Sequence, residues 1–96
     1  MTFEWNVRKA ASNLRKHKVA FREAATVFLD PLAVTFPDPN HSLYEFREVT
    51  IGCTMNRRVV FVCHCERGEN IRIMSARPAT RRERTQYEEG IGVQEE

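Results

Sequence analysis

Three β-rich runs, separated by two short links, constrain the fold of this chain more than any other feature. The runs cover roughly positions 46–53, 58–66 and 70–77. The links are Met55-Asn56-Arg57 and Arg67-Gly68-Glu69, and connections this short join neighbouring antiparallel strands. The sequence therefore predicts a three-stranded antiparallel meander in the second half of the chain.

Two helical patterns precede the meander. Apolar residues recur at the spacing of one helical face in the segments 7–14 and 21–28. Asn6 is a suitable N-cap for the first helix, and Pro31 ends the second helix after Asp30. Because only a few residues separate the two segments, we expect an αα-hairpin.

Further local signals complete the order of elements. Thr2-Phe3-Glu4-Trp5 has the alternating, β-favouring character of a short strand, and residues 32–36 are suited to an edge strand. Thr80 and Glu83 have the spacing of a capping box that opens a last helix ending near Glu89. The predicted fold is α+β in the order β-α-α-β-β-β-α, with one domain over residues 1–90 and a disordered acidic tail at 91–96.

Positive charge is concentrated in one part of the chain. The formal net charge is only +2, but residues 57–87 carry eight arginines against Glu66, Glu69 and Glu83. Arginine binds phosphate oxygens bidentately, so this segment fits a polyanion such as RNA. The alternative is a solvated basic face, which composition alone favours.

The apolar segments and the cysteines indicate where in the cell the protein resides and whether it binds a metal. Nothing at the N-terminus resembles a secretion leader, and no apolar run is long enough to span a membrane. With three cysteines, at positions 53, 63 and 65, we expect a cytoplasmic protein with reduced thiols. His64 alternates with Cys63 and Cys65 along a strand and so points away from both. This spacing favours buried cysteines, and we predict no metal and no cofactor.

Several segments of the chain resemble the BrnT toxins. The N-terminal ones are Phe3-Glu4-Trp5, the stretch from Lys9 to His17, and Phe21 with residues 23–28. The C-terminal ones are Glu66-Arg67-Gly68, Ile71-Arg72-Ile73, Ser75-Ala76-Arg77, and the stretch from Ala79 to Arg84 with Tyr87. The resemblance extends over residues 3–89. Lys18 departs from the family pattern, which often has Gly there, and Cys63 and Cys65 replace the more usual Val and Thr.

The resemblance implies a function. BrnT proteins are ribonuclease toxins of type II toxin–antitoxin pairs with a RelE-like fold, and a ribbon-helix-helix antitoxin, BrnA, holds them inactive. For this chain it implies an RNA substrate, a BrnA-like partner, contact with operator DNA only through the antitoxin complex, and no membrane. The expected activity is metal-independent endoribonuclease cleavage that inhibits growth and translation. The alternative is an inactive homologue that only binds nucleic acid or the antitoxin.

Cleavage of RNA without a metal requires deprotonation of the 2′-hydroxyl, stabilisation of the charged pentavalent phosphate and protonation of the leaving oxygen. By position and by resemblance to RelE-like enzymes, the predicted catalytic residues are Arg77, His64, Arg67 and Tyr87. The predicted RNA-binding residues are Arg72, Arg81 and Arg47. Arg81 has an alternative role in gripping the antitoxin.

Each catalytic candidate has a structural alternative. Arg77 would instead form a salt bridge with Glu45 or Glu48, and Arg67 and Arg72 would simply face solvent. His64 would be a histidine hydrogen-bonded within the sheet. Tyr87 would be the anchor of a helix with few other apolar residues.

Overall fold

A five-stranded sheet with helices on both of its faces forms the framework of the molecule. A computed structural model describes residues 1–40 and 45–90 of the chain. The helices are α1 (Val7–His17), α2 (Phe21–Ala24) and α3 (Arg81–Glu89), and a 3-10 turn spans Ala25–Leu29. The strands are β1 (Thr2–Glu4), β2 (Val34–Pro37), β3 (Arg47–Cys53), β4 (Val59–Arg67) and β5 (Asn70–Pro78).

The sheet is antiparallel except at one edge. Its strand order is β1-β5-β4-β3-β2, and β2 to β5 pair in antiparallel fashion. This confirms the predicted meander. The sequence signals did not predict a partner for the first strand, and in the structure β1 pairs with β5 in parallel, with Phe3 opposite Ile71. Neighbouring parallel strands need a long crossover connection. Here that connection contains α1, α2 and the strands β2 to β4.

The second predicted helix is shorter than expected. Only Phe21–Ala24 are α-helical, and the 3-10 turn Ala25–Leu29 continues the segment as far as Asp30. The Thr26 hydroxyl donates a 2.6 Å hydrogen bond to the Glu23 carbonyl oxygen, a bond that competes with the α-helical ladder. The αα-hairpin is therefore only partly formed, with one turn of helix in its second arm.

Two apolar clusters lie on opposite faces of the sheet. One joins α1, α2 and the 3-10 turn to Val60, Val62, Ile73 and Ala76. We call this face of the sheet, which carries α1 and α2, the helix side; α3 lies on the opposite face. The other cluster joins α3, through Tyr87, to Phe36, Val49, Ile51 and Ala79. Both clusters belong to one core built from all of these elements. The predicted domain limits, 1–90, and the predicted disordered tail at 91–96 stay predictions, because residues 91–96 lie outside the described ranges.

Polar bonds, as well as apolar contacts, hold α1 to the sheet. Asn13 is the only fully buried residue of α1. Its amide nitrogen donates to the Ala76 and Val19 carbonyl oxygens at 2.8 and 3.0 Å, and its oxygen accepts from the Ala76 amide at 3.1 Å. Every helix among residues 1–40 and 45–90 is too short or too polar to cross a membrane.

Candidate nucleic-acid interface

The pairing of β4 with its two neighbouring strands determines which predicted site residues lie on the same face of the sheet. Successive side chains of a strand point to opposite faces, so Phe61, Cys63, Cys65 and Arg67 share one face. In the cross-strand register, Arg47 and Arg72 lie opposite Cys65 on its two sides, and Arg77 lies opposite Phe61. Four arginines from three strands therefore project from one face of the sheet. We call this the arginine face, defined by Arg47, Arg67, Arg72 and Arg77.

Three of these arginines surround one buried thiol. Cys65 is 2% exposed, and its pKa is raised by burial and by Glu45, against the opposing effect of Arg67, Arg72 and Arg47. The thiol is therefore protonated and unreactive at neutral pH. The three guanidinium groups form a cationic cluster above it.

Acidic side chains neutralise this cluster only in part. Arg47 donates to Glu45 at 3.2 Å and Arg72 to Glu4 at 2.9 Å, in pairs that are open to solvent. Hydrogen bonds from Asn70 and Arg72 hold the pKa of Glu4 below its usual value. The side chain of Arg67 makes no hydrogen bond or ion pair with any residue that the structure describes. Its fork of donors is available to a phosphate.

Arg77 stands at the other end of the arginine face and is already engaged. Its two terminal nitrogens donate to the two carboxylate oxygens of Glu83 at 2.8 and 3.0 Å. The guanidinium lies 4.0 Å from the centroid of the Phe61 ring, a cation–π arrangement. The expected alternative partners, Glu45 and Glu48, were wrong. Glu45 pairs with Arg47 instead, and Glu48 lies opposite His64 and so projects from the helix side.

Glu83 has a double role at the start of α3. Its side chain accepts from the Thr80 amide at 2.9 Å while the Thr80 hydroxyl accepts from the Glu83 amide at 3.2 Å, which confirms the predicted capping box. Burial acts to raise the pKa of Glu83, but hydrogen bonds from Arg77 and Thr80 outweigh it and lower the pKa. The carboxylate therefore stays ionised and keeps the Arg77 fork occupied.

Tyr87 ties α3 to the rest of the molecule. Its hydroxyl donates a 2.7 Å hydrogen bond to Asp30 Oδ2, which also accepts from the Cys53 amide at 2.8 Å. Burial and the Asp30 carboxylate raise the pKa of Tyr87 to about 12. Since α3 has no fully buried residue, this geometry favours the anchor alternative. The catalytic assignment of Tyr87 stays a prediction.

His64 projects from the helix side, away from the four arginines. It is 3% exposed, its Nε2 lies 2.7 Å from the Thr50 hydroxyl, and its ring meets Phe28 edge-on with centroids 4.9 Å apart. Burial lowers its pKa to about 4. The structure does not bring His64 together with the other predicted catalytic residues, and its surroundings favour the structural alternative; its catalytic role also stays a prediction.

The arginines of α3 are exposed, like Arg67 of the sheet, whereas Arg47, Arg72 and Arg77 are half-buried. Arg81 and Arg82 face solvent at the start of the helix, and neither makes an ion pair with a residue in the ranges 1–40 and 45–90. Arg84 donates to the Ala79 carbonyl oxygen at 3.1 Å. Exposed cations at this position suit long-range attraction of a polyanion more than close contact with it.

The sequence reasoning missed three partners of the site. Glu83 was predicted only as part of a helix cap and Asp30 only as the end of a helix, and no role was predicted for Phe61. The capping-box spacing was the one signal that marked Glu83. Within residues 1–40 and 45–90, no group of three His, Cys, Asp or Glu side chains is arranged to hold a metal ion.

Comparisons with known proteins agree on one group of relatives. Residues 5–83 match the family model described as the ribonuclease toxin, BrnT, of type II toxin–antitoxin systems. The crystal structure of the Brucella abortus ribonuclease toxin BrnT superposes with a TM-score of 0.67 at 23% sequence identity, covering 84% of this chain and 99% of that chain. This likeness shows a shared fold. A comparison with curated proteins gave no match.

Proposed function

The chain belongs to the BrnT family of ribonuclease toxins of type II toxin–antitoxin systems, and we propose that it is a metal-independent endoribonuclease whose arginine face binds and cleaves RNA. Cleavage of RNA would inhibit growth and translation in the cytoplasm. A ribbon-helix-helix antitoxin of the BrnA type would neutralise it and would carry the complex to operator DNA. We also propose that the fold is RelE-like.

The convergence of arginines from three strands carries this proposal. Arg47 and Arg72 flank Cys65, and Arg67 follows on the same face. Guanidinium groups that share one face of a rigid sheet can contact phosphates of one RNA strand without reorganising. Base-edge recognition requires splayed bases, which single-stranded RNA supplies. We therefore propose single-stranded RNA as the substrate.

Arg67 and Arg77 are the proposed catalytic arginines. In-line attack by a 2′-oxygen on the neighbouring phosphorus adds negative charge to the phosphate oxygens, and a guanidinium fork in contact with them lowers that barrier. Arg67 is ready for this role, since its donors are unoccupied by any described residue. Arg77 acquires the role when an incoming phosphate competes with Glu83. Arg72, Arg47 and Arg81 are the proposed RNA-binding residues.

A non-catalytic nucleic-acid-binding module is the second candidate. One observation favours it: the residues expected to move protons are engaged elsewhere, Tyr87 with Asp30 and His64 with Thr50 on the other face. A binding module needs only the arginines. An enzyme needs proton transfer as well.

A cleavage assay on the partner-free protein separates the two candidates. Labelled single-stranded RNA is incubated with the purified protein in excess EDTA. The enzyme yields fragments with 2′,3′-cyclic phosphate and 5′-hydroxyl ends, because the 2′-oxygen displaces the 5′-oxygen. RNA that is bound but left intact, with or without added Mg²⁺, would instead establish the binding module.

A further inference from the structure

An exposed apolar groove runs between α1 and α2, away from the arginine face. It has a volume of about 570 Å³, and its apolar lining includes Trp5, Val7, Leu14, Phe21 and Met55. Val7 is 78% exposed, Leu14 47% and Met55 72%. Several exposed apolar side chains that line one groove make it a candidate interaction site.

The amphipathic pattern of α1 is directed at this groove more than at the core. Residues 7, 10, 11 and 14 give the helix its apolar face, yet the one fully buried residue of α1 is the polar Asn13. Asn13 docks the helix on β5 through its bonds to Ala76. The apolar stripe from Val7 to Leu14 is thus left beside solvent, and nothing in the described part of the chain covers it.

The rims of the groove are cationic. Helical geometry places Arg8 and Arg15, one heptad apart, on the solvent side of the Val7–Leu14 stripe. Arg22 lines the opposite wall beside Glu23, whose carboxylate is already paired with Arg58 at 2.6 Å. None of these three arginines forms an ion pair with any residue in the described ranges. A ligand that is apolar in the middle and acidic along its edges therefore complements the groove.

We infer that the α1–α2 groove receives an amphipathic helical segment of the antitoxin, with an apolar stripe and acidic flanks. This inference rests on the proposed function to the extent that it takes an antitoxin as the partner, as the toxin–antitoxin family implies. Val7 and Leu14 are separated by about 10 Å along α1, which corresponds to two turns of a partner helix. A helix suits the groove because its walls are two helices and a turn, which offer no strand edge for β-pairing.

The position of the groove separates this contact from RNA binding. The groove lies beside α1 and α2 on the helix side, whereas Arg47, Arg67 and Arg72 project from the opposite face of the sheet. A segment seated in the groove therefore contributes affinity for the antitoxin without occupying the phosphate contacts. Other parts of the antitoxin would have to reach the arginine face to block RNA.

The test substitutes the exposed lining and measures antitoxin affinity. The double variant Val7→Glu/Met55→Glu changes two side chains that are mostly in solvent, so the fold should be retained. Leu32→Glu is the matched control, because Leu32 is 68% exposed and lies outside the groove. The probe is a purified BrnA-type antitoxin, titrated by calorimetry. We expect at least tenfold weaker binding for the double variant and less than a twofold change for the control.

Charge reversal supplies a second, independent readout. Arg8→Glu/Arg15→Glu should weaken binding and flatten its dependence on salt, because acidic flanks of the partner lose their counterparts. Unchanged antitoxin affinity in both double variants would overturn the inference. So would a loss of RNA binding or of self-association in their place, since these results would assign the groove to RNA or to a second copy of this chain.

The outcome for the groove is distinguishable from the outcome for the proposed enzyme. If the groove variants lose the antitoxin but cleave RNA at the wild-type rate, both proposals stand. If the wild-type protein cleaves no RNA while the groove variants still lose the antitoxin, the enzyme fails and the docking site stands.

Discussion

The guanidinium of Arg77 and the carboxylate of Glu83 form a two-pronged ion pair, with both nitrogen–oxygen distances at or below 3.0 Å. Glu83 thereby occupies the donors that a phosphate would use. Because both side chains remain partly open to solvent, the pair is of modest strength, on the order of 1 kcal/mol. An RNA phosphate can therefore displace the carboxylate.

Neutralising the Glu83 carboxylate should raise the affinity of the protein for RNA. Glu83→Gln retains a capping side chain at this position but releases the Arg77 fork, so we expect RNA affinity to rise roughly two- to fivefold. Filter binding at fixed salt measures this. Glu88→Gln is the matched control, since it makes the same change of charge on the same helix without touching Arg77. A collapse of cleavage in Glu83→Gln alone would instead make Glu83 a catalytic residue.

Removing the guanidinium should abolish toxicity. We expect Arg77→Ala to lower the cleavage rate by about 100-fold or more, as the loss of one preorganised donor to a developing oxyanion does in other enzymes. Fold and antitoxin binding should be retained. Growth after induction without antitoxin reports toxicity, and Lys16→Ala serves as a control on the exposed side of α1. If Arg77→Ala loses antitoxin binding, Arg77 belongs to the partner interface.

The buried imidazole should make the protein less stable in mild acid. The pKa of His64 is lowered to about 4 from 6.5, so the unfolded chain binds a proton in this window that the folded chain excludes. Stability should therefore rise with pH between about 4 and 6.5 and then level off, with this residue contributing about 3 kcal/mol over the window.

Urea unfolding at a series of pH values measures the effect of His64. In His64→Gln the contribution from the imidazole disappears, which separates it from the carboxylates that titrate at lower pH. If His64 is structural, the variant should also retain RNA cleavage. A parallel pH dependence in wild type and variant would contradict the lowered pKa, and a loss of cleavage without a loss of fold would restore the catalytic role.

The anchoring role of Tyr87 predicts a split between stability and activity. Tyr87→Phe removes one hydrogen bond to the Asp30 carboxylate, which should cost about 1–2 kcal/mol of unfolding free energy. The cleavage rate should stay within twofold of wild type when it is measured well below the melting temperature. A large fall in rate with unchanged stability would identify Tyr87 as a proton donor.

Local signals in the sequence predicted most of the fold. Strands β3, β4 and β5 begin and end within about a residue of their expected positions, and the Thr80–Glu83 spacing predicted the start of α3. The second helix was overestimated because its buried residues Phe21, Ala24 and Val27 also follow the three-residue period of a 3-10 turn. The parallel pairing of β1 with β5 depends on a crossover that no local pattern encodes.

The candidate site was harder to predict from the sequence than the fold, because it depends on the pairing register of neighbouring strands. Alternation along β4 placed His64 away from the neighbouring cysteines, but only the pairing of Phe61 with Arg77 places Arg77 on the opposite face from His64. The same register directs Glu48 to the helix side. Glu83 reaches Arg77 because the chain turns at Pro78 and α3 folds back, a contact that strand patterns cannot predict.

The rate of RNA cleavage by the Arg67→Ala/Arg72→Ala double variant shows whether the arginine face is where RNA is bound and cleaved. These two side chains supply two of the three guanidinium groups in the cationic cluster around Cys65, and neither is buried in the core. Wild type, the double variant and Lys16→Ala are compared on single-stranded RNA in EDTA, with circular dichroism to confirm that each is folded. We predict a loss of about 100-fold or more for the double variant alone. Cleavage by the folded double variant at the wild-type rate would contradict the assignment of the arginine face.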